Sequence, residues 1–198
     1  MSKYDEQIIV VPRDILFEQE SNAFNGFLTK NDPQGEAIFN TFSNYEVKRR
    51  GDMEEDPSYK QLISYCLLEN EKNEILVYKR LSGGGESRLH GQSSIGVGGH
   101  MNDVIGANSV NEVLRVNAQR ELEEEVGLLE SNSQNLEYIG FINDDTPLGS
   151  LANYILDDIH FPREEKNNKA IRAYVLDHYR DHQLIESTNR AISLYKLI

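Results

Sequence analysis

The chain has 198 residues, of which 38% are hydrophobic and 27% charged, with a formal net charge of −13 at pH 7. This composition is typical of one soluble domain with a sizeable core, and it argues against a nucleic-acid-binding surface, which would be basic. Cys66 is the only cysteine, which excludes an internal disulfide and indicates a reducing, cytoplasmic location. The N-terminal residues lack a signal-peptide profile and no apolar run approaches membrane-spanning length, so we expect no membrane association.

Residues 1–58 carry local structural signals but none that names a function. The apolar run at 8–12 predicts a strand ended by proline, 31–35 reads as a turn, and 37–45 has the spacing of a short helix. The charged segment 45–56 is interpreted as a surface connection. Within it, Arg49 and Arg50 are interpreted as solvated surface residues in preference to ligands of a substrate phosphate, although both interpretations stay open.

The remainder of the chain, apart from residues 101–128, alternates strand-like runs with loops. Strands are predicted at 61–68, 75–80, 136–142 and 152–161, with loops at 69–74, 82–86 and 143–149 and two closing helices at 170–178 and 184–195. The loop at 82–86 is rich in glycine but lacks the Gly-Lys-Ser/Thr that completes a phosphate-cradling loop. A further strand leads from Ser93 into Gly98 and Gly99.

Residues 109–127 predict an amphipathic helix with an unusual acidic face. Glu121, Glu124 and Glu125 follow the spacing i, i+3, i+4, which places them on one side of a helix. A separate apolar stripe consists of Leu114, Ala118, Leu122 and Val126. Carboxylates crowded on one face repel one another unless a cation lies among them, and Mg²⁺ prefers such oxygen ligands. The pattern therefore indicates a metal site on a helix.

Both ends of this helix have recognisable capping residues. Ser109 and Glu112 fit a capping box, in which the serine caps the helix and the glutamate reaches back to the serine amide. Gly127 suits the left-handed residue that often follows a helix. For Glu112 this structural role and a role near the metal are weighed evenly.

The same residues resemble the signature of the Nudix hydrolases (MutT-like proteins). That signature is Gly, five residues, Glu, seven residues, Arg-Glu, an aliphatic residue, any residue, Glu-Glu, any residue, Gly and an aliphatic residue. It is matched here by Gly106, Glu112, Arg120, Glu121, Leu122, Glu124, Glu125, Gly127 and Leu128. The glycine pair Gly98-Gly99 looks like the pair that ends the preceding strand in the family, in which case the loop before the helix is seven residues longer.

The resemblance implies a fold and a reaction. The fold is an α/β/α sandwich with a mixed β-sheet, in which the catalytic helix follows a glycine-rich loop. Residues 1–198 would form a single domain, with 1–58 as an N-terminal extension packed on a core of 59–198. The reaction is Mg²⁺-dependent hydrolysis, with Mn²⁺ as a substitute, of a diphosphate bond in a small molecule of the type nucleoside diphosphate–X. A homodimer is compatible with this description.

The resemblance also assigns roles to residues. The metal ligands would be Glu121, Glu124 and Glu125, with Glu112 and the backbone of Gly99 as further candidates. Glu124 or Glu121 would act as general base, and Arg120 would hold the neighbouring carboxylates. A base on a distant loop is the alternative, with Glu164 and Glu165 as candidates. His100 either contacts a phosphate or lines the loop.

Three other functions remain compatible with the sequence. A non-hydrolytic nucleotide-binding or regulatory protein could keep the fold, although such proteins usually lose a signature carboxylate. An RNA cap hydrolase would need a basic groove, which the net charge disfavours. A metal-dependent isomerase on the same fold would have an altered signature. The sequence has no His/Cys cluster with zinc spacing.

Overall fold

The computed structural model describes residues 2–70, 75–79, 93–128, 136–143, 174–176 and 188–197. In chain order the strands β1 to β10 are Gln7–Pro12, Gly26–Thr29, Glu46–Arg49, Tyr59–Asn70, Leu76–Lys79, Ser93–Ser94, Gly96–Val97, Leu136–Asn143, Tyr174–Leu176 and Thr188–Leu197. The helices α1 to α4 are Arg13–Leu16, Pro33–Thr41, Arg50–Met53 and Val110–Val126. Short 3₁₀ turns cover Lys3–Asp5 and Phe42–Asn44.

The main sheet is organised around β4, its longest strand. The strand order is β2-β8-β10-β4-β1-β3, and β7 pairs with β4 outside this path. All pairs are antiparallel except β8 with β10, which is parallel, so the sheet is mixed. Among the described residues a smaller sheet has the order β6-β5-β9. The protein is therefore a mixed α/β fold dominated by antiparallel pairing.

The N-terminal segment supplies three strands of this main sheet. Ile8, Ile9, Val10 and Val11 of β1 are fully buried because β1 lies between β3 and β4. β2 forms an edge by pairing with β8, and β3 forms the other edge. Residues 1–58 thus contribute directly to the sheet that carries the rest of the chain.

The chain after the glycine pair lies between β1 and β4. The Met101 amide donates a hydrogen bond to the Leu62 carbonyl at 3.0 Å, and the Met101 carbonyl accepts one from the Ile9 amide at 2.8 Å. The Met101 side chain is fully buried in the main core. β1 and β4 together therefore fix the path of the segment that enters α4.

Two core clusters hold α4 against the sheet. Its N-terminal half contributes Val113 and Leu114 to the main core. Its C-terminal half contributes to a second cluster, made of Cys66, Leu68, Leu76, Val97, Ala118, Leu122, Val126 and Leu128. The predictions of a buried Cys66 and of a buried apolar stripe on the helix are confirmed. Removing this apolar area from water is the main force that keeps α4 in place.

Several secondary-structure predictions were wrong. The closing helices at 170–178 and 184–195 are replaced, where described, by β9 and β10. β10 pairs along its length with β4 and with β8, so long-range backbone hydrogen bonds prevail over the local helical spacing. The predicted turn at 31–35 contains the start of α2, because the Asp32 side chain accepts a hydrogen bond from the Gln34 amide at 2.9 Å.

The charged segment 45–56 is not the predicted surface connection. It forms β3 and α3, and Met53 at the end of α3 is buried. Arg49 and Arg50 form ion pairs with acidic neighbours, Asp5 and Asp52 for the first and Glu6 and Glu54 for the second. The Arg50 side chain is only 15% exposed, so the prediction of a solvated arginine was wrong there.

The predicted strand 152–161, with Asp157 and Asp158, lies outside the described residues, as do the predicted loop 82–86 and most of the predicted loops 69–74 and 143–149. No helix in the described part of the chain is both long and apolar enough to cross a bilayer.

Candidate active site on helix α4

The ends of α4 are set by local chemistry. Ser109 has an extended backbone, and its side chain accepts a hydrogen bond from the Glu112 amide at 3.3 Å. At the other end Gly127 has φ +72°, a left-handed conformation that glycine adopts without strain. Its amide donates to the Glu123 carbonyl at 3.0 Å. Both predicted caps are confirmed.

Glu112 departs from the predicted capping box. Its carboxylate accepts hydrogen bonds from the Asn108 amide at 2.8 Å and from Asn108 Nδ2 at 3.1 Å, and not from the Ser109 amide. These bonds, the backbone one first, lower the pKa of Glu112. Nine residues of helix, roughly 14 Å of axial rise, separate Glu112 from Glu121. The structure therefore gives Glu112 a capping role at the far end of the helix.

Glu121 is the buried member of the acidic face. Its residue is only 6% exposed, whereas Glu124 is exposed and Glu125 is partly exposed. Burial raises the pKa of Glu121, and the nearby charges of Glu124 and Glu125 act in the same direction, while Arg120 opposes them. These three glutamates thus interact electrostatically, as the helical spacing predicts.

Gly99 is the residue against which Glu121 lies. A Cβ atom at position 99 would come 2.7 Å from Glu121 Oε2 and 2.8 Å from Oε1. Only glycine leaves space for the carboxylate there. The Gly99 carbonyl accepts hydrogen bonds from the Ser64 amide at 3.0 Å and from Ser64 Oγ at 3.5 Å, so in metal ligation the cation would replace the weaker hydroxyl bond.

Of the two glycine positions that could match the motif, the pair Gly98-Gly99 lies beside the carboxylates and Gly106 does not. Gly98 has φ +156°, and a Cβ there would come 1.9 Å from the Ser64 carbonyl oxygen. Gly106 also has a positive φ of +86°, but no atom lies within 4 Å of its virtual Cβ, and its neighbour Ile105 is 98% exposed. Gly106 therefore lies on an exposed loop away from the carboxylates, whereas Gly99 contacts Glu121.

Arg120 lies between the two carboxylates. Its Nη2 atom is 2.8 Å from Glu121 Oε1, and its Nη1 atom is 3.0 Å from Glu124 Oε2. Nη2 also donates to the His100 carbonyl at 2.9 Å. One guanidinium therefore connects the buried glutamate, the exposed glutamate and the loop after the glycine pair.

The His100 side chain lines the loop and contacts residues of the protein itself. Its Nε2 atom lies 2.8 Å from Gln61 Oε1, and the buried Gln61 donates from Nε2 to the Met53 carbonyl at 3.2 Å. Ile63 and His100 form an isolated antiparallel bridge. The ring is thus connected to β4 and, through Gln61, to α3.

Sequence reasoning missed two residues next to this site, Asn102 and Asn117. The Asn117 side chain is buried and hydrogen-bonded to the Asn102 backbone and to Arg120. The only local signal was a polar residue three positions before Arg120, on the side of α4 that carries Val113 and Leu114. Of the residues that sequence reasoning did name, Glu164 and Glu165 lie outside the described part of the chain.

The described residues do not contain a group of three or more His, Cys, Asp or Glu side chains that could hold a metal ion. Glu121 and Glu124 instead share Arg120, and Glu125 is close enough to Glu121 to influence its pKa. The arrangement can hold negative charge on a helix face beside a glycine backbone, with one guanidinium as counter-charge.

Fold and site together define a mixed α/β protein with a carboxylate-bearing helix following a glycine pair. The chain is 47% identical over 145 residues to Protein YmaB of Bacillus subtilis (strain 168), and this match covers 73% of the chain and 70% of YmaB. The protein belongs to the YmaB family. A family model described as the YozE SAM-like fold matches residues 138–197.

The fold also resembles a solved structure. The crystal structure of Tm1382, described as a candidate Nudix hydrolase, matches with a TM-score of 0.51 and 20% sequence identity, covering 97% of this chain and 75% of that one. At this identity the likeness concerns the fold alone.

The prediction that this chain is a member of the Nudix (MutT-like) family was wrong. The relationship is to YmaB, and the family model that matches is the YozE SAM-like fold, not a Nudix model. The signature had been matched over 106–128 only, a stretch outside the region that the family model covers. A short motif therefore does not decide membership, although three of the residues that it selected, Arg120, Glu121 and Glu124, do lie together.

Proposed function

We propose that this protein is a Mg²⁺-dependent hydrolase that cleaves a phosphoanhydride bond in a small substrate of the type nucleoside diphosphate–X. The observation that carries the proposal is the arrangement of Glu121, Arg120 and Glu124 beside the backbone of Gly99. The likeness of fold to Tm1382 supports it at the level of architecture. In this proposal the sheet and its helices form an α/β/α sandwich, with α4 on one face.

The donor set fits a hard divalent cation. Carboxylate oxygens are the ligands that Mg²⁺ selects, and Glu121 and Glu124 provide them within reach of a single guanidinium. Glu124 is exposed and pairs with Arg120 through Oε2, so it can accept a further cationic partner without losing Arg120. Glu121 and Glu124 would hold the ion, with Glu125 and the Gly99 carbonyl as further donors.

A protein with a net charge of −13 needs such a cation to bind a polyphosphate. When bound, Mg²⁺ would neutralise diphosphate oxygens and make a water molecule more acidic. Glu124, which faces solvent, would take the proton of the attacking water as general base. Arg120 would hold Glu121 and Glu124 at fixed separation, and the Gly99 backbone would leave room for the Glu121 carboxylate. The cysteine content suits the proposed cytoplasmic location.

The experiment is a substrate panel assayed for product release with and without Mg²⁺. The panel contains nucleoside triphosphates, ADP-ribose, nucleotide sugars, dinucleoside polyphosphates and coenzyme A. Wild type is compared with Glu124→Gln and with Glu123→Gln, a matched control on an exposed neighbouring position of α4. We expect Mg²⁺-dependent cleavage of one class, a loss of about 100-fold or more in Glu124→Gln, and near-normal activity in Glu123→Gln.

Two results would contradict the proposal. Equal turnover in Glu124→Gln and Glu123→Gln would show that the acidic face of α4 is not the catalytic site. Nucleotide binding without turnover by wild type would instead identify a non-hydrolytic nucleotide-binding protein.

A further inference from the structure

Asn117 has an unusual position for an amide side chain, because it is 2% exposed on the inner side of α4. Its Nδ2 atom donates to the Asn102 carbonyl at 2.8 Å and to the Val113 carbonyl at 2.9 Å. Its Oδ1 atom accepts from the Asn102 amide at 2.8 Å and from Arg120 Nη2 at 3.3 Å. Both hydrogens of Asn117 Nδ2 and both acceptor positions of its Oδ1 are therefore used, which fixes the orientation of the amide.

The bonds between Asn117 and Asn102 join α4 to the loop that follows the glycine pair. They involve both backbone groups of Asn102, so they resemble a strand pair in which the side-chain amide of Asn117 replaces one backbone. The Asn102 side chain continues the network toward β1, since Nδ2 donates to Glu6 Oε1 at 3.1 Å and to the Gln7 carbonyl at 2.8 Å. The loop is therefore held on both sides.

The same network determines where Arg120 points. Arg120 Nη2 is shared among Glu121 Oε1, the His100 carbonyl and Asn117 Oδ1. Asn117 supplies one of these acceptors directly and, through Asn102, fixes the loop that carries another. Without Asn117, two of the three contacts that orient Nη2 would be lost or weakened.

We propose that Asn117 is a positioning residue, which holds the loop 100–102 on α4 and orients Arg120 so that its guanidinium keeps Glu121 and Glu124 together. The inference rests on the proposed function, because the carboxylates matter to catalysis only if the acidic face is the active site. If Asn117 were purely structural, the ion pairs with Glu121 and Glu124 would restrain Arg120 without it. The two roles therefore differ in their effect on the guanidinium and on kcat.

The test compares Asn117→Ala with a control and with a more distant change. Asn111→Ala is the matched control, since Asn111 lies on the same helix but is exposed. Asn102→Ala removes the bonds to Glu6 and Gln7 and keeps both bonds to Asn117, because the latter use the Asn102 backbone.

The first measurement follows Arg120 directly, by ¹⁵N NMR of the guanidinium groups in the full chain at low temperature. The Arg120 signals are assigned by their absence in Arg120→Lys. In wild type we expect separate, slowly exchanging Nη signals. They should merge in Asn117→Ala and persist in Asn111→Ala and Asn102→Ala.

The second measurement is steady-state kinetics at saturating Mg²⁺ on the substrate identified by the panel. We expect kcat to fall roughly 10- to 100-fold in Asn117→Ala with KM changed less than about twofold, as when a group that orients catalytic ligands is removed. Asn102→Ala should lose less than Asn117→Ala, and Asn111→Ala should match wild type.

Restrained Arg120 signals together with a normal kcat in Asn117→Ala would overturn the proposal. If Asn117→Ala does not fold, merged Arg120 signals in wild type would overturn it, because the network would then not restrain the guanidinium. If wild type cleaves no substrate, the proposed function fails by itself. The NMR result would then still decide whether Asn117 orients Arg120, and merged signals in wild type would refute that.

Discussion

Replacing Gly99 by alanine tests whether the space beside Glu121 is needed. The added Cβ would lie 2.7 Å from Glu121 Oε2, 2.8 Å from Oε1 and 2.9 Å from Cδ, all below normal contact distance. The obstructed atoms are the far end of a flexible side chain, so the carboxylate can move away without displacing the backbone. Its new position would break the 2.8 Å contact with Arg120 Nη2.

The effect on stability should be small and the effect on activity large. Losing the ion pair costs about 1 kcal/mol, but moving the buried carboxylate toward water offsets part of this cost, because burial disfavours its charge. Tm should therefore fall by no more than roughly 2–4 °C for a chain of this size. Displacing a carboxylate that holds the catalytic cation should reduce kcat about 10-fold or more. The assay measures Mg²⁺-dependent product release and thermal unfolding on the same preparations.

Gly106→Ala is the matched control for Gly99→Ala. Its φ of +86° makes alanine strained by about 1 kcal/mol, but the added Cβ meets no atom within 4 Å. We expect a similar decrease in Tm with unchanged activity. Gly98→Ala should be more destabilising than either, since its Cβ would meet the Ser64 carbonyl oxygen at 1.9 Å. Normal activity in Gly99→Ala, or equal activity losses in Gly99→Ala and Gly106→Ala, would refute the reasoning.

Three further predictions concern stability. Because the pKa of Glu121 is raised in the folded protein, its contribution to stability is complete below the unfolded pKa and is lost as pH rises through the folded pKa. In EDTA, Glu121→Gln should therefore increase Tm at pH 7 and lose this advantage toward about pH 4. A Tm difference that stays unchanged across this range would contradict the prediction. The Asp103 hydrogen bond raises the pKa of Tyr45 to about 12, so Tyr45→Phe should lower Tm by a constant amount up to about pH 10, and the difference should shrink above it; a difference that grows with pH would contradict it. Gly127→Ala should cost about 1 kcal/mol at the left-handed end of α4, measured by urea unfolding, and an unchanged midpoint would contradict that estimate.

The sequence predicted α4 well because its signals are local. A capping serine, an apolar stripe with a spacing of four and a left-handed glycine each act within one or two turns of helix, and all three are observed. The partner of Glu112 was less predictable, since Asn108 and Ser109 offer amides at nearly the same place. Loop geometry therefore decides which of these two adjacent amides donates to Glu112.

The C-terminal strands could not be predicted from periodicity. Leu184, Ile185, Thr188, Ile192 and Tyr195 have helical spacing, yet residues 188–197 form β10 between β4 and β8. Strand pairing depends on partners more than 100 residues away in β4, and local spacing contains no information about them. Arg50 shows the same limit, since its burial depends on Glu6 and Glu54 together.

The candidate site was only partly predicted, because local spacing describes one face of a helix but not its contacts with distant segments. The grouping of Glu121, Glu124 and Arg120 follows from helical geometry, and the geometry is observed. The contact with Gly99 and the network through Asn117 and Asn102 depend on how the loop crosses between β1 and β4, which only the fold determines.

The acidic face of α4 is proposed to bind a divalent cation through Glu121 and Glu124. The most direct test is titration of the full chain with Mn²⁺ alone, followed by electron paramagnetic resonance of the free ion, on wild type, Glu121→Gln, Glu124→Gln and the control Glu123→Gln. We predict saturable binding in wild type and Glu123→Gln, weakened about 10-fold or more in Glu121→Gln and Glu124→Gln. Equal binding in all four proteins, or no binding in wild type, would contradict the claim.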